Sequence, residues 1–368
     1  MPVLLSPSWL VIAAVVTVLF ADTAVTFTGL APGLPAYLVA SALAVLLAVS
    51  VLIHEAAHAA AARAYGLHVS EIVIDLWGGH TTLGRPRTPG ASAVVSVVGP
   101  VANLALALLA EGLRRQVVAT EPGSVAAVVA FLLLGTAVSN ALVGVFNLVP
   151  GLPLDGGRVL EALVWKVTGD QDTGGLVAGW AGRAVALGLA VWLLVPPLLQ
   201  GGRPSTVTLV WVGLVAVFLW RGASASIVAS RFRRRAARVD LGSVTAAALV
   251  APADASVADL ERSWGAAAGA GQPSSHDVVL VDPAGRPVAV VPAGSVAAVP
   301  HDLRASTPAS ALARVLPAAS VVPASGGSIG AVEGLARSGD LGIVVVDDRG
   351  RPTGRVTPGA FAAAMGLR

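Results

Sequence analysis

The sequence predicts a polytopic α-helical membrane protein with about six transmembrane helices and a C-terminal α/β domain. Of its 368 residues, 55% are hydrophobic and only 12% are charged, which is too apolar for an average soluble protein. Long Ala, Val and Leu runs fill the chain up to about residue 228, and the remainder alternates short apolar runs with Pro, Gly and Asp. This shift in composition predicts two domains.

Six apolar windows are long enough, or nearly long enough, to cross a hydrocarbon core as helices of about 20 residues. They run from 8 to 28, 36 to 62, 91 to 113, 124 to 149, 176 to 200 and 206 to 228. No basic region precedes Trp9, and the apolar pattern resumes soon after Phe20, so we interpret the first window as an uncleaved span.

A basic block follows the last window. It consists of Arg231, Arg233, Arg234, Arg235 and Arg238. The positive-inside rule places this end in the cytoplasm, although a solvated charge run is as good an interpretation as lipid binding. Counting back through six spans puts the N-terminus, the loop around Arg85 and Arg87 and the loop from 150 to 175 on the same side. Arg114 and Arg115 then fall outside, against the rule.

Strand patterns occur at three places outside the apolar windows. The alternating, β-branched stretch from Leu67 to Trp77 predicts a strand or hairpin at the membrane surface. After Asp240 the pattern is soluble α/β, and the stretches 278–291 and 343–356 resemble each other. Each predicts a strand, a D-x-x-G turn and a second strand, with a spacing of about 65 residues.

The second apolar window contains the motif H-E-A-A-H, formed by His54, Glu55 and His58. At 3.6 residues per helical turn the two histidines share one face and can bind one tetrahedral zinc ion, with the carboxylate placed to act as a hydrolytic base. A chance pair of structural histidines is the alternative, but such groups are costly in a hydrocarbon span. The chain has no cysteine, so any metal must be held by His, Asp or Glu.

A catalytic zinc site needs a third protein ligand and an open position. The residues leave four candidates, which are His68, His80, Asp75 and Asp155. Asp155 lies in the stretch from Asn147 to Arg158, where prolines and glycines break the fourth window. Irregular backbone at that depth is tolerated where it lines a polar site.

Three motifs together resemble the site-2 protease family of intramembrane zinc metalloproteases (peptidase family M50). They are His54-Glu55-x-x-His58, Gly99-Pro100-x-x-Asn103 and Asn147-x-x-Pro150-x-x-Pro153-x-Asp155-Gly156-Gly157. The resemblance covers residues 36 to 165 closely. It implies one zinc ion per chain, bound by His54, His58 and Asp155, with Glu55 as the base. It also implies that Asn147 holds the substrate or the developing oxyanion.

The other motif residues are assigned a supporting role. Gly99, Pro100, Asn103 and Pro153 form this set. Small residues allow helices to pack closely, and an asparagine can form a hydrogen bond across helices. His68 and His80 are interpreted as ordinary surface residues, because the family motif places no ligands there.

The resemblance implies an intramembrane endopeptidase that cuts within or next to transmembrane segments. The substrate would be a single-pass membrane protein such as an anti-sigma factor, and the protease would reside in a bacterial plasma membrane. From the count of spans, both termini of the protease would lie in the cytoplasm. The net charge of +3 gives no indication of a nucleic-acid partner. A regulated membrane transporter and an inactive protease-like scaffold are the alternatives, and the H-E-x-x-H motif with a distant D-G-G argues against the transporter.

We therefore divide the chain into a transmembrane metalloprotease domain (1–230), a basic linker (231–240) and a C-terminal domain (241–368). The last resembles a cystathionine-β-synthase (CBS) domain pair with repeats of about 241–300 and 301–368, which implies a homodimerisation or docking module. Nucleotide-binding repeats commonly carry a Thr after the second strand and an Asp three residues later. This chain has Pro292 with Ser295, and Thr357 with Ala360, so we predict that adenine-nucleotide binding is lost.

Overall fold

The computed structural model describes residues 2–75, 78–120, 124–269 and 277–366. The chain divides into two compact units, Met1–Ser230 and Arg231–Arg368. Long helices dominate the first unit, whereas the second unit mixes short helices with two small sheets.

Seven helices begin among the described residues of the first unit. They are α1 (Trp9–Thr28), α2 (Leu34–Ala64), α3 (Pro89–Thr120), α4 (Ser124–Asn147), α5 (Asp155–Thr168), α6 (Gln171–Leu199) and α7 (Thr206–Ala236). All of these except α5 are long and apolar enough to cross a membrane, which fits a polytopic helical membrane protein. Each predicted window corresponds to one of the six, and the largest shift is at the end of the last window, which was predicted at 228 and lies at Ala236.

The stretch predicted as a basic linker, 231–240, begins within a helix. Helix α7 continues to Ala236, because Ala and Arg both favour helix. Ala236, Val239 and Leu241 are then buried in a hydrophobic core of the second unit. The apolar residues between and after the arginines therefore fix this stretch to the second unit, which the charge pattern did not reveal.

A three-stranded sheet accompanies the helices of the first unit. It contains β1 (Val3–Leu5), β2 (Val69–Asp75) and β3 (Gly78–Leu83), in that order. β1 runs parallel to β2, and β2 and β3 form an antiparallel hairpin. The predicted strand or hairpin is thus confirmed, although Leu76 and Trp77 lie outside the described residues. Strand β3 is an edge strand of this sheet.

Two sets of ion pairs bear on the arginines of the loops. Arg85 donates from Nε to Gln171 Oε1 at 2.7 Å and pairs with Asp172 Oδ1 at 3.2 Å. The loop after β3 therefore lies beside the start of α6, in agreement with the counting of spans. Arg114 and Arg115 each form an ion pair with Glu111 at 2.7 Å, and their position still departs from the positive-inside rule, which counts Lys and Arg.

The second unit repeats one arrangement of strands and helices. Its elements are α8 (Leu241–Val244), β4 (Leu249–Pro252), α9 (Val257–Gly269), β5 (Val278–Val281), β6 (Pro287–Val291), β7 (Arg314–Val315), β8 (Val321–Pro323), α10 (Gly327–Ser338), β9 (Ile343–Val346), β10 (Pro352–Val356) and α11 (Pro358–Ala364). In β4-α9-β5-β6 and in β8-α10-β9-β10, the first two strands are parallel and the last two are antiparallel. Both sheets contribute valines to one buried cluster.

The two predicted strand-turn-strand units, 278–291 and 343–356, are confirmed and have equivalent turns. The backbone N–H groups of Arg286 and Arg351 donate at 2.8 Å to the carboxylates of Asp282 and Asp347, respectively. These bonds hold the pKa of both carboxyl groups below the usual range. The assignment of the unit to the CBS family stays a prediction.

Candidate active site

The two histidines of H-E-A-A-H lie one turn apart on α2 and face a common point. Their Nε2 atoms are 3.0 Å apart, and both side chains are buried. His58 donates from Nδ1 to the carbonyl oxygen of Val95 on α3 at 2.6 Å. Since that bond places the proton of His58 on Nδ1, its Nε2 lone pair is directed at the common point.

Asp155, the first residue of α5, brings a carboxylate to the same point. Its Oδ2 lies 3.2 Å from Nε2 of His54 and 3.3 Å from Nε2 of His58. The turn that precedes α5 is compact because the next two residues are glycines. A Cβ on Gly156 would lie 2.3 Å from the carbonyl oxygen of Leu148, and one on Gly157 would lie 2.2 Å from a backbone nitrogen. The D-G-G stretch therefore permits the fold that delivers Asp155.

The spacing of these three ligand atoms suits a metal ion. Ligands about 2.0–2.1 Å from a tetrahedral zinc are separated from one another by about 3.3 Å, and the three observed separations are 3.0, 3.2 and 3.3 Å. Two nitrogen lone pairs and a carboxylate oxygen at these distances repel one another unless a cation or a proton lies among them. Within the described part of the chain, this is the single group of three such side chains that could hold a metal ion.

The other candidates for the third ligand lie elsewhere in the described structure. His80 is exposed on β3, with its Nδ1 3.7 Å from Oδ2 of Asp75. His68 is exposed in the segment before β2. None of these three joins the metal-binding group, so of the four candidates the structure brings Asp155 alone to the histidines.

Glu55 is buried beside the two histidines and contacts the β3 strand. The hydroxyl of Thr81 donates to Oε2 of Glu55 at 2.6 Å. The backbone of β3 also comes very close, since a Cβ on Gly79 would lie 2.6 Å from Cγ of Glu55. The hairpin therefore fixes the orientation of the carboxylate, a role for Thr81 and Gly79 that sequence reasoning missed. The alternating pattern indicated a strand nearby but gave no sign of which helix it would contact.

Gly99 on α3 packs directly against the candidate ligands. A Cβ at this position would lie 2.3 Å from Nε2 of His58 and 2.8 Å from Cε1 of His54. Any larger side chain would therefore occupy the space of the imidazoles. Asn103, one turn further along α3, is almost fully buried, and Pro100 lies inside the helix between them. The position of Gly99 agrees with its predicted supporting role. Its effect on catalysis stays a prediction.

Helices α6 and α7 support the turn that leads to Asp155. A Cβ on Gly182 would lie 1.9 Å from the carbonyl oxygen of Leu152, and one on Gly222 would lie 2.6 Å from Cγ of Pro153. Pro153 therefore has a packing role against α7. Asn147 is the last residue of α4 and stands directly before this turn. Its role toward a substrate stays a prediction.

The long apolar helices and the converging ligands define the class of the molecule: a polytopic membrane protein with a candidate His/His/Asp metal centre. A family model described as "Peptidase family M50" matches residues 113–189. The matched range includes Asn147 and Asp155, whereas His54 and His58 lie before it.

Two curated proteins and one solved structure are similar to the chain. It is 33% identical over 231 residues to the "Putative zinc metalloprotease sll0528" of Synechocystis sp., covering 61% of this chain and 57% of that protein. It is 37% identical over 183 residues to the "Putative zinc metalloprotease Rip3" of Mycobacterium tuberculosis, covering 50% of this chain and 46% of that protein. A structure described as "Site-2 Protease from Methanocaldococcus jannaschii" aligns at 21% identity with a TM-score of 0.39, covering 58% of this chain and 88% of that one.

The alignments span about half the length of the curated relatives. The chain is thus similar to peptidase family M50 over residues 113–189 and to two proteins named as zinc metalloproteases.

Proposed function

We propose that the protein is an intramembrane zinc endopeptidase, which hydrolyses peptide bonds within or next to the transmembrane segments of other membrane proteins. The observation that carries the proposal is the convergence of His54, His58 and Asp155 with ligand atoms 3.0 to 3.3 Å apart. Both histidines lie on a helix that is apolar enough to cross a membrane. A carboxylate that is not part of this set, Glu55, follows the first histidine directly.

His54, His58 and Asp155 would hold one zinc ion per chain. When bound, zinc supplies Lewis acidity toward a carbonyl oxygen and lowers the pKa of a water molecule. Glu55 takes a proton from the attacking water and delivers it to the leaving amide nitrogen, so that the peptide bond is replaced by a carboxylic acid and an amine. Thr81 holds the Glu55 carboxylate in one orientation through its 2.6 Å hydrogen bond.

The substrate segment must be unwound before it can react, because the carbonyl groups of a transmembrane helix are hydrogen-bonded and shielded. An extended peptide can pair with the free edge of a sheet. Strand β3 is an edge strand, and its residues Gly79 and Thr81 contact Glu55. These contacts support β3 as the strand that holds the unwound peptide, with Asn147 as a donor to the substrate carbonyl or the developing oxyanion.

We infer the partners and the cellular location of the enzyme from the family resemblance. Substrates are single-pass membrane proteins such as anti-sigma factors, and the enzyme resides in a bacterial plasma membrane. The basic residues 231–238 support a cytoplasmic C-terminus, and an even number of spans then gives a cytoplasmic N-terminus.

For the C-terminal unit we propose a dimerisation or docking module without adenine-nucleotide binding. At the position where a nucleotide-binding repeat would offer a carboxylate to ribose, the first repeat has Ser295, whose hydroxyl donates to the carbonyl of Pro292 at 2.7 Å. In the second repeat the hydroxyl of Thr357 accepts from the backbone N–H of Ala360 as a helix cap. The Ser295 hydroxyl is thus already used within the chain, and the second repeat has Ala360 where the carboxylate would be.

The proposal is tested with Glu55→Gln in the purified full-length protein. The amide preserves size but cannot accept the water's proton, so we expect full zinc content and a loss of cleavage of on the order of 100-fold or more. Zinc is measured by elemental analysis and cleavage with a single-span substrate in liposomes. Cleavage near the wild-type rate would show that Glu55 is not the base. Wild-type protein that binds zinc and cleaves no membrane substrate would favour a scaffold instead.

A further inference from the structure

A cationic side chain lies between two indole rings on the surface of the α6-α7 pair, away from the residues that carry the proposed reaction. The guanidinium carbon of Arg183 lies 4.8 Å from the ring centroids of both Trp180 and Trp220. Its Nη2 and Nε donate to the hydroxyl of Ser224 at 2.9 and 3.2 Å. Within the described chain, no carboxylate forms an ion pair with Arg183. The two rings hold the cation in place without neutralising it.

The depth of this arginine follows from the composition of the two helices. From Ala184 to Leu199, α6 contains no charged residue, and neither does α7 from Thr206 to Trp220. At 1.5 Å per residue these stretches are about 22–24 Å long, which fills most of a hydrocarbon core about 30 Å thick. Arg183 and the neighbouring Arg221 therefore lie at the edge of that core, where lipid phosphates are found.

An apolar groove leads from the arginines along the hydrocarbon-facing part of the helices. It has a volume of about 240 Å³ and ends at Arg221. Its lining consists of Ala186, Leu187 and Ala190 from α6 with Ala216, Val217 and Trp220 from α7. Alanine on both helices leaves space between them, and the shape and chemistry of this space suit an acyl chain.

We propose that Arg183, held between Trp180 and Trp220, binds the phosphate group of an anionic phospholipid, with one acyl chain in the groove. Its Nε and Nη2 atoms donate to Ser224, and the Nη1–Nη2 end of the guanidinium offers paired N–H donors that match phosphate oxygens. Basic pockets between transmembrane helices are suited to anionic head groups. Arg221 adds a second positive charge at the end of the same groove. The inference does not depend on the proposed peptidase activity.

The bound lipid would also stabilise the turn that carries Asp155. Gly182 and Gly222, the residues next to Arg183 and Arg221, pack against Leu152 and Pro153 of that turn. A head group that bridges the two arginines would hold α6 and α7 together where they contact it.

The test measures lipid binding to the full-length protein in detergent by native mass spectrometry, with phosphatidylglycerol, phosphatidylcholine and inorganic phosphate as separate additions. We expect a preference of about tenfold or more for phosphatidylglycerol over phosphatidylcholine, and no displacement by inorganic phosphate. Arg183→Gln should abolish the preference, and Arg183→Lys should restore part of it. Arg203→Gln, in the connection between α6 and α7, is the matched control and should keep it.

A second variant tests the same proposal even if Arg183→Gln does not fold. Ala190→Phe fills the groove and leaves both arginines in place, so phosphatidylglycerol binding should fall at least several-fold while the protein elutes in detergent as the same folded species as wild type. Equal binding of the two lipids by wild-type protein would overturn the proposal. So would an unchanged preference in folded Arg183→Gln, unchanged phosphatidylglycerol binding in Ala190→Phe, or displacement of the lipid by inorganic phosphate.

Discussion

Replacing Gly99 with alanine is the sharpest test of how the candidate metal centre is built. The new methyl carbon would lie 2.3 Å from Nε2 and 2.7 Å from Cε1 of His58, and 2.8 Å from Cε1 of His54. Non-bonded heavy atoms are in favourable van der Waals contact at about 3.5 Å, so His58 or the α3 backbone would have to move by roughly 1 Å. Metal sites tolerate deviations of about 0.2 Å in ligand distance.

The expected result is a protein that folds but binds zinc poorly. Alanine favours a helix interior over glycine by about 1 kcal/mol, so α3 itself should not be weakened. We expect zinc affinity to fall by about 10- to 100-fold or more and cleavage by on the order of 100-fold. Zinc affinity is measured by chelator competition and cleavage with a single-span substrate in liposomes.

Gly112→Ala is the matched control, because it makes the same change on the same helix at a position with no atom within 4 Å of the new Cβ. It should keep wild-type zinc affinity and activity. If Gly99→Ala retained both as well, the close approach of α3 to the histidines would be refuted.

Four further predictions concern residues around this site and the C-terminal unit. Thr81→Val should lower the cleavage rate by about tenfold with zinc content unchanged, because the carboxylate of Glu55 loses its 2.6 Å hydrogen bond; Thr81→Ser should restore the rate, and equal rates in all three proteins would contradict the orienting role. Asn147→Ala should slow cleavage by on the order of 100-fold with zinc retained, as expected for the loss of an oxyanion donor; an unchanged rate would leave Asn147 a structural residue. Calorimetry on the full-length protein should detect no ATP, AMP or S-adenosylmethionine binding at micromolar concentrations, and micromolar binding would refute the proposed loss of nucleotide recognition. Sedimentation of the second unit, Arg231–Arg368, which keeps the buried residues Ala236 and Val239, should show a dimer, and a monomer at high concentration would count against the dimerisation role.

Local patterns in the sequence predicted most of the helices and strands. The apolar windows predicted six long helices, because a membrane span must be long and nearly uncharged whatever its neighbours are. The alternation from Leu67 to Trp77 predicted the hairpin, and the D-x-x-G turns predicted the strand pairs of the second unit. Strand β1 was not predicted, since three residues are too short to show a period.

The site was predictable only where a motif fixed it. The spacing of His54 and His58 follows from helix geometry, but four residues remained open as the third ligand until the family resemblance singled out Asp155. The contact between Thr81 and Glu55 joins positions 26 residues apart, and the contact of Gly99 with His58 joins two helices. No periodicity within either segment encodes such pairings, because they arise from packing between elements.

Reconstitution of the protein in liposomes tests whether this site hydrolyses peptide bonds in a membrane with the help of zinc. Purified protein is placed in liposomes with a single-span substrate, and the products are mapped by mass spectrometry before zinc removal, after it and after zinc is restored. We expect a cut within or next to the apolar span that disappears with the metal, returns with it and is absent from Asp155→Ala. Cleavage that persists after complete removal of zinc, or that Asp155→Ala performs at the wild-type rate, would contradict it.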